Sequence, residues 1–201
     1  MDILKTILDN TELADKIYKK CDIKIYSEMR KPENMDGRIT WNIDGMAFGC
    51  DASGGEFVLL SDGSVGFHSS EGETGRIAEN LQSLFSLLIN CPCFFDFLTD
   101  DLYQDQVLLE KYACAMEREY KDDFNKRGEY DWDTIKAEIA NILELPIDNN
   151  IAENTLKIFY NTATREPQYQ SVYHETDGTE VISECIISRP MRPWIMKKAG
   201  L

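Results

Sequence analysis

The chain has 201 residues, 43% of them hydrophobic, enough for a sizeable core without help from disulfides or a structural metal. Asp and Glu number 36 against 21 Lys and Arg, a formal net charge of −15. That excess excludes nucleic acid and anionic membrane surfaces as natural partners, because phosphates repel it, and makes a basic protein the natural complement.

The opening Met1-Asp2-Ile3-Leu4-Lys5 lacks the basic region and long apolar run of a secretory signal. No stretch approaches the ~20 apolar residues of a membrane span. The expectation is a cytoplasmic chain whose six cysteines stay reduced and serve mostly as small core residues.

Residues 3–20 read as a helix, with Ile3, Leu4, Ile7, Leu8, Leu13, Ala14 and Ile17 at helical spacing and a break signalled at Asn10-Thr11. Residues 28–37 are polar and read as a loop. Asp44-Gly45 lies between two alternating runs and predicts a two-residue hairpin in which 43 faces 46, 41 faces 48 and 39 faces 50. Ile39, Trp41, Ile43, Met46, Phe48 and Cys50 then share one face of the ribbon. Asp62-Gly63 predicts a second hairpin, with Val58 facing Phe67 and Leu60 facing Val65. The run Phe57-Val58-Leu59-Leu60 is apolar on both faces, which points to a central strand.

Further helices are predicted at 75–90, 101–122, 133–145 and 151–163. Asp131 or Asp133 caps the 133–145 helix, and Asn149 or Asn150 the last. Residues 169–175 and 180–187 read as a strand pair around Thr176-Asp177-Gly178-Thr179. A two-residue turn there sets Glu175 against Glu180, which is unfavourable, so a longer loop or an edge position is expected. The tail from Arg189 to Trp194 reads as extended.

A search for chemistry returns little. His68 and His174 are the only histidines, there is no Cys-x-x-Cys, and Cys91-Pro-Cys93 has the wrong spacing for zinc, so no metal is expected. No Gly-x-Ser-x-Gly elbow occurs, and no local signature supports a Cys–His nucleophile. Glu71 and Glu73 invite a two-carboxylate reading. They are read instead as acids at the N-terminus of the 75–90 helix, with Arg76 as their structural partner. Residues 70–76 contain two glycines but do not form a Walker loop, and their glutamates repel anions. Residues 96–144 hold 14 acids and 6 bases, and Glu117, Glu119, Asp122 and Asp123 cluster as candidates for steering a basic partner.

The run FGCDASGGEFVLLSDGSVGFHSSEGETGRIAENLQSLFSLLINCP resembles the SUKH superfamily, the Smi/Knr-like domain. The likeness is carried by Asp51 after an aromatic-Gly approach, Gly54-Gly55 before an apolar strand and Asp62-Gly63 in a tight turn. Ser70-Glu71-Gly72, then Gly75-Arg76 and an amphipathic helix complete it, over about 45 of the 201 residues. The resemblance implies an α+β fold, an antiparallel sheet packed on helices, with the motif residues in structural roles. It also implies a non-enzymatic, cofactor-free immunity protein that neutralises a toxin, often a nuclease, or, as in fungal relatives, a regulator of cell-wall assembly. The expected architecture is one domain over 1–201: a core over about 1–100, then a helical extension ending in a strand pair over about 101–201. An adaptor without a toxin partner and an enzyme using the 70–76 loop are the competing readings.

Overall fold

The computed structural model describes residues 2–201. It is an α+β protein whose larger sheet is antiparallel, in the order β1-β3-β4-β5-β6. These strands are β1 (Lys24–Arg30), β3 (Gly45–Cys50), β4 (Glu56–Leu60), β5 (Val65–His68) and β6 (Thr74–Ala78). A smaller antiparallel sheet joins β2 (Ile39–Trp41) to β7 (Ser171–His174) and β8 (Glu180–Ile182), in the order β2-β7-β8.

The helices are α1 (Ile3–Leu8), α2 (Thr11–Cys21), α3 (Leu81–Asn90), α4 (Asp101–Gln104), α5 (Gln106–Arg127), α6 (Trp132–Leu143), α7 (Thr155–Ala163) and α8 (Pro193–Lys198). Polar side chains set most of their starts. Asn10, Asn80, Asp105 and Asp131 each accept a hydrogen bond from the backbone N–H three residues on, at 2.9 to 3.0 Å. Asn10 is the break expected in the first helix, and Asp131 rather than Asp133 caps α6. Neither Asn149 nor Asn150 caps α7. Asp148 does the equivalent work, accepting from the Thr155 N–H at 3.1 Å and its hydroxyl at 2.5 Å.

β4 lies at the centre of its sheet, and both its faces are buried. Phe57, with Phe48 and Phe67 of the neighbouring strands, faces the main core beneath the helices, where Phe85, Phe94, Phe97 and Phe159 are all buried. Val58 and Leu60 join Ala47 in a smaller cluster on the other face, closed by Tyr169, Trp41, Ile43 and Tyr26. Gly66 lets Tyr169 lie flat on the strand, since a Cβ there would stand 2.7 Å from two ring carbons. The main cluster runs from Ile3 to Ala199, so both halves of the chain share one core.

The structure corrects several sequence expectations. No hairpin forms at Asp44-Gly45: β3 pairs with β1 and β4, and β2 pairs with β7, so Trp41 and Phe48 belong to different clusters. Asn42 holds β2 to the distant chain, donating to the Gln168 carbonyl at 2.6 Å and accepting from the Gln170 N–H at 2.9 Å. Residues 24–30, partly assigned to a loop, form the edge strand β1. The predicted 75–90 helix begins only at Leu81, after β6, so Glu71, Glu73 and Arg76 do not stand at a helix N-terminus. The 101–122 helix is broken at Asp105 and extends to Arg127. The 151–163 helix starts at Thr155, and the tail carries the short α8.

The Asp62-Gly63 hairpin is also one residue longer than expected. Leu60 N–H donates to Ser64 O at 2.9 Å and Gly63 N–H to Leu60 O at 3.0 Å, leaving a three-residue loop that ends on Gly63 at φ +86°. Phe57 therefore faces Phe67, and Leu59 faces Val65. The same loop recurs at 52–54, 70–72 and 176–178, each with its last glycine at φ near +90°. In the last of these the register sets Glu180 against His174 and not against Glu175. Among the described residues, no helix is long and apolar enough to cross a membrane.

Candidate functional site: an acidic groove between the two sheets

β5 carries the chain from the Asp62-Gly63 loop at one end of the large sheet to the Ser69–Glu73 loop at the other. The 52–54 loop lies beside this second loop, because Glu56 pairs with His68 across the ladder. The Ser69 hydroxyl accepts the Glu73 N–H at 3.0 Å, and Gly72 takes the left-handed position, which closes the loop and exposes Glu71. The Glu73 carboxylate turns back and receives Arg189 Nε and Nη2 at 2.7 and 2.6 Å. This bidentate pair ties the C-terminal segment to the loop.

The same segment docks on β6. Thr74 N–H donates to Glu184 O, Ile186 N–H donates to Thr74 O, and the Thr74 and Ser183 hydroxyls meet at 2.5 Å. The small sheet is thereby held against the 69–73 loop, and a groove of about 740 Å³ lies between them. Glu33, Glu56, Glu71, Glu73, Glu175 and Glu184 line it, together with the apolar Ile39, Val181 and Ile182, and no Lys or Arg does.

Two of the six glutamates are occupied. Glu73 holds Arg189. Glu56 is buried, pairs with Arg30 at 2.7 Å and accepts the Glu33 N–H at 2.6 Å, which fixes the Glu33 loop over the groove. Glu33, Glu71, Glu175 and Glu184 are exposed and have no cationic side chain within ion-pair distance among the described residues. His68 lies deeper, edge-on to Trp41 with ring centroids 5.0 Å apart. Burial lowers its pKa against the opposing pull of Glu56 and Glu33, so it is neutral near pH 7.

Of the motif residues, Gly54, Ser70, Glu71 and Gly72 meet at this groove. Asp51 organises the neighbouring loop, accepting from the Ser53 and Gly55 N–H groups at 2.9 and 2.7 Å. Gly75 packs against Ile186. Asp62, Gly63 and Arg76 are at the opposite end of the sheet. Arg76 is 3% exposed; it binds Asp62 at 2.8 Å and Ser64 Oγ at 3.1 Å, and donates to the Pro167 carbonyl. The partner of Arg76 is thus Asp62 rather than Glu71 or Glu73.

The acids singled out on α5 form no comparable surface. Glu119 pairs with Lys198, Asp123 with Lys126 at 2.8 Å, and Arg118, Lys121 and Arg127 are interspersed with Glu117 and Asp122. Sequence reasoning missed Glu33 and Glu184. It met Glu175 only as an unfavourable cross-strand neighbour.

A second concavity, of 680 Å³, opens between α2, α5 and α6, with Tyr18, Phe95, Tyr120 and Trp132 among its walls. Lys20 reaches it, but its Nζ is sealed 2.8 Å from the Trp132 ring centroid without a hydrogen-bond partner. The Cys91 and Cys93 sulfurs are 3.9 Å apart and buried, and the hydrogen bond between them together with burial raises the Cys91 pKa well above that of a free thiol. Among the described residues, no group of three or more His, Cys, Asp or Glu is placed to hold a metal ion. No family model matches the chain, and comparison with curated proteins and with solved structures returns no match.

Proposed function

We propose that this protein binds and neutralises a basic partner protein, as an immunity protein does a nuclease toxin, and that the groove between the sheets is its binding site. The observation that carries the reading is the groove lining: six glutamates, four of them free, with apolar side chains and no Lys or Arg. A nuclease presents a cationic surface to its own substrate, and an acidic groove competes for that surface. The engagement of Glu73 by Arg189 argues against a two-carboxylate hydrolase, because one of the two acids already has both oxygens taken. The resemblance to the Smi/Knr-like domain supports the same reading from the 48–92 segment.

The test is protection of growth on co-expression with basic nuclease toxins, including any whose gene adjoins this one, followed by association kinetics at two salt concentrations. Charge steering changes association rates by about 10- to 1,000-fold, and salt removes that gain. The triple reversal Glu33→Lys, Glu71→Lys, Glu175→Lys is expected to abolish protection and to slow association at low salt. An acidic partner, or association that salt and the triple variant leave unchanged, refutes the reading.

A further inference from the structure

The small sheet has two edges, and they are finished differently. In the β2–β7 ladder, His174 N–H donates to Arg38 O and Asn42 N–H to Gln170 O, so Ile39 directs its backbone groups outward. Both are taken by Asn34, whose Oδ1 accepts the Ile39 N–H at 2.7 Å and whose Nδ2 donates to Ile39 O at 2.8 Å. Asn34 thus caps that edge at Ile39. In the β7–β8 ladder, Glu175 N–H donates to Thr179 O and Ser183 N–H to Ser171 O, which makes 175·179, 173·181 and 171·183 the hydrogen-bonded pairs. Glu180 and Ile182 therefore point their N–H and C=O groups away from the sheet. Among the described residues no helix, loop or capping side chain takes them, and all three residues of β8 are exposed, Val181 at 51% and Ile182 at 60%.

The large sheet shows no such opening. β6 is buried along its length and bonded to residues 184–186 at Thr74, and β1 is interrupted in register and carries Lys24, Glu28 and Arg30. Natural sheets blunt their edges in these ways, so the bare β8 edge stands out.

We infer that the open edge of β8 is where the partner engages, by adding an extended basic segment as a fourth strand of the small sheet. The inference rests on the proposed function and specifies how the groove is used. Side chains alternate along such a strand. Residues level with Val181 fall on the groove side, towards Glu71 and Glu175, and are Lys or Arg. Residues level with Glu180 and Ile182 fall on the face that carries Val172, where Ile182 also borders the groove, and are apolar. A second copy of this chain is the wrong occupant, because edge-to-edge pairing gathers Glu175, Glu180 and Glu184 of both copies with no Lys or Arg lining the groove to offset them.

The probe is an eight-residue peptide alternating lysine and valine, blocked at both ends, with affinity read by fluorescence anisotropy at low salt. N-methylation of alternate residues separates backbone pairing from charge. In an antiparallel addition the valines pair with Glu180 and Ile182, so methylating the valine nitrogens should weaken binding about tenfold or more, while methylating the lysine nitrogens leaves it nearly unchanged. Ile182→Pro removes an outward donor at an edge position where proline is tolerated, and should weaken the parent peptide comparably at unchanged Tm. The methylated peptides leave the protein untouched, so the inference stays testable if that variant misfolds.

Equal binding of both methylated peptides, with loss on Glu71→Lys/Glu175→Lys, overturns strand addition and leaves the charged groove standing. Binding unaffected by Glu71→Lys/Glu175→Lys overturns the groove reading itself. A dimer in sedimentation that Ile182→Pro dissolves assigns the edge to a second copy and also overturns the inference.

Discussion

Replacing Lys20 by methionine should stabilise the protein at neutral pH. Lys20 is in the last turn of α2, a favourable place for a cation, and its Nζ lies over Trp132 with Phe124 5.7 Å away. Yet the residue is only 4% exposed and its amine has no hydrogen-bond partner. Burial outweighs its other influences and lowers its pKa from 10.5 to about 7, with the nearby Lys136 adding to the fall and Cys21, Cys93 and Asp133 opposing it. At about 1.36 kcal/mol per unit that shift is worth roughly 5 kcal/mol, and relaxation with water penetration commonly halves such a cost. We expect Lys20→Met to be about 2–3 kcal/mol more stable than the parent at pH 7. Because the folded pKa is depressed, the unfolded chain binds the proton first as pH falls from 10.5 towards 7, so the penalty grows through that window and is complete below it. The advantage should therefore shrink to about 1 kcal/mol near pH 9.5. Urea titrations of both proteins at pH 6, 7, 8.5 and 9.5 measure it, and taking the difference cancels the buried tyrosines and cysteines. A variant no more stable than the parent at pH 7, or a difference that ignores pH, refutes the argument.

Arg76→Ala should cost about 3 kcal/mol in urea unfolding, since it strands Ser64, Asp62 and the Pro167 carbonyl around a buried void. The Asp62 pKa is set by partial burial, which raises it, against hydrogen bonds from Ser64 and Arg76, which together lower it to about 2. Its stabilisation is present above about pH 4 and disappears as pH falls through 2, and its half-exposed carboxylate keeps it to about 1 kcal/mol; Arg76→Ala should flatten that limb of the acid titration. Gly66→Ala should lower stability by about 1–3 kcal/mol, because the new methyl displaces the Tyr169 ring; an unchanged Tm contradicts that packing. Reversing Asp122 and Asp123 to Lys should leave partner association nearly unchanged, since interspersed cations already offset these acids; slowing equal to that of the groove reversal returns the binding site to α5.

The parts of the fold legible in the sequence are those where a local pattern has one physical reading. Apolar residues on both faces of 57–60 mean a central strand, and β4 is central. Asx residues ahead of apolar periodicity mark helix starts, as at Asn10 and Asp131. Where two readings share one pattern, the sequence misleads. Ile77 fits both the helix that follows and the strand it occupies, and only pairing with β5 decides between them. Asp-Gly serves equally as a whole two-residue turn or as the last two residues of a three-residue loop. The structure uses the longer form at Asp62-Gly63 and Asp177-Gly178, which shifts each register by one. β2 was out of reach for a different reason: its partner is some 130 residues away, and nothing near Asp44 reports it.

The groove was hidden for a related reason, the gap between charge along a chain and charge in space. Residues 96–144 carry a net −8, but a helix brings cations within three or four positions of its acids, and α8 brings Lys198 from outside. What a partner meets there is mixed charge. Glu33, Glu71, Glu175 and Glu184 come from three separate segments of the chain, and the two sheets gather them around one concavity that no Lys or Arg lines among the described residues. Steering follows the field at the surface, so under the proposed function those four are the acids to test first. Beyond the Glu71 and Glu73 pair of the 70–76 loop, the local trace of the site is the clash expected between Glu175 and Glu180. The longer loop relieves it by setting Glu180 opposite His174, with 3.3 Å between carboxylate and ring nitrogen, and Glu175 is left free to line the groove. A cross-strand repulsion read from sequence thus marks a place where the chain keeps an acid unpaired, and the proposed function gives that acid a use, since an unpaired carboxylate is what a cationic partner would meet.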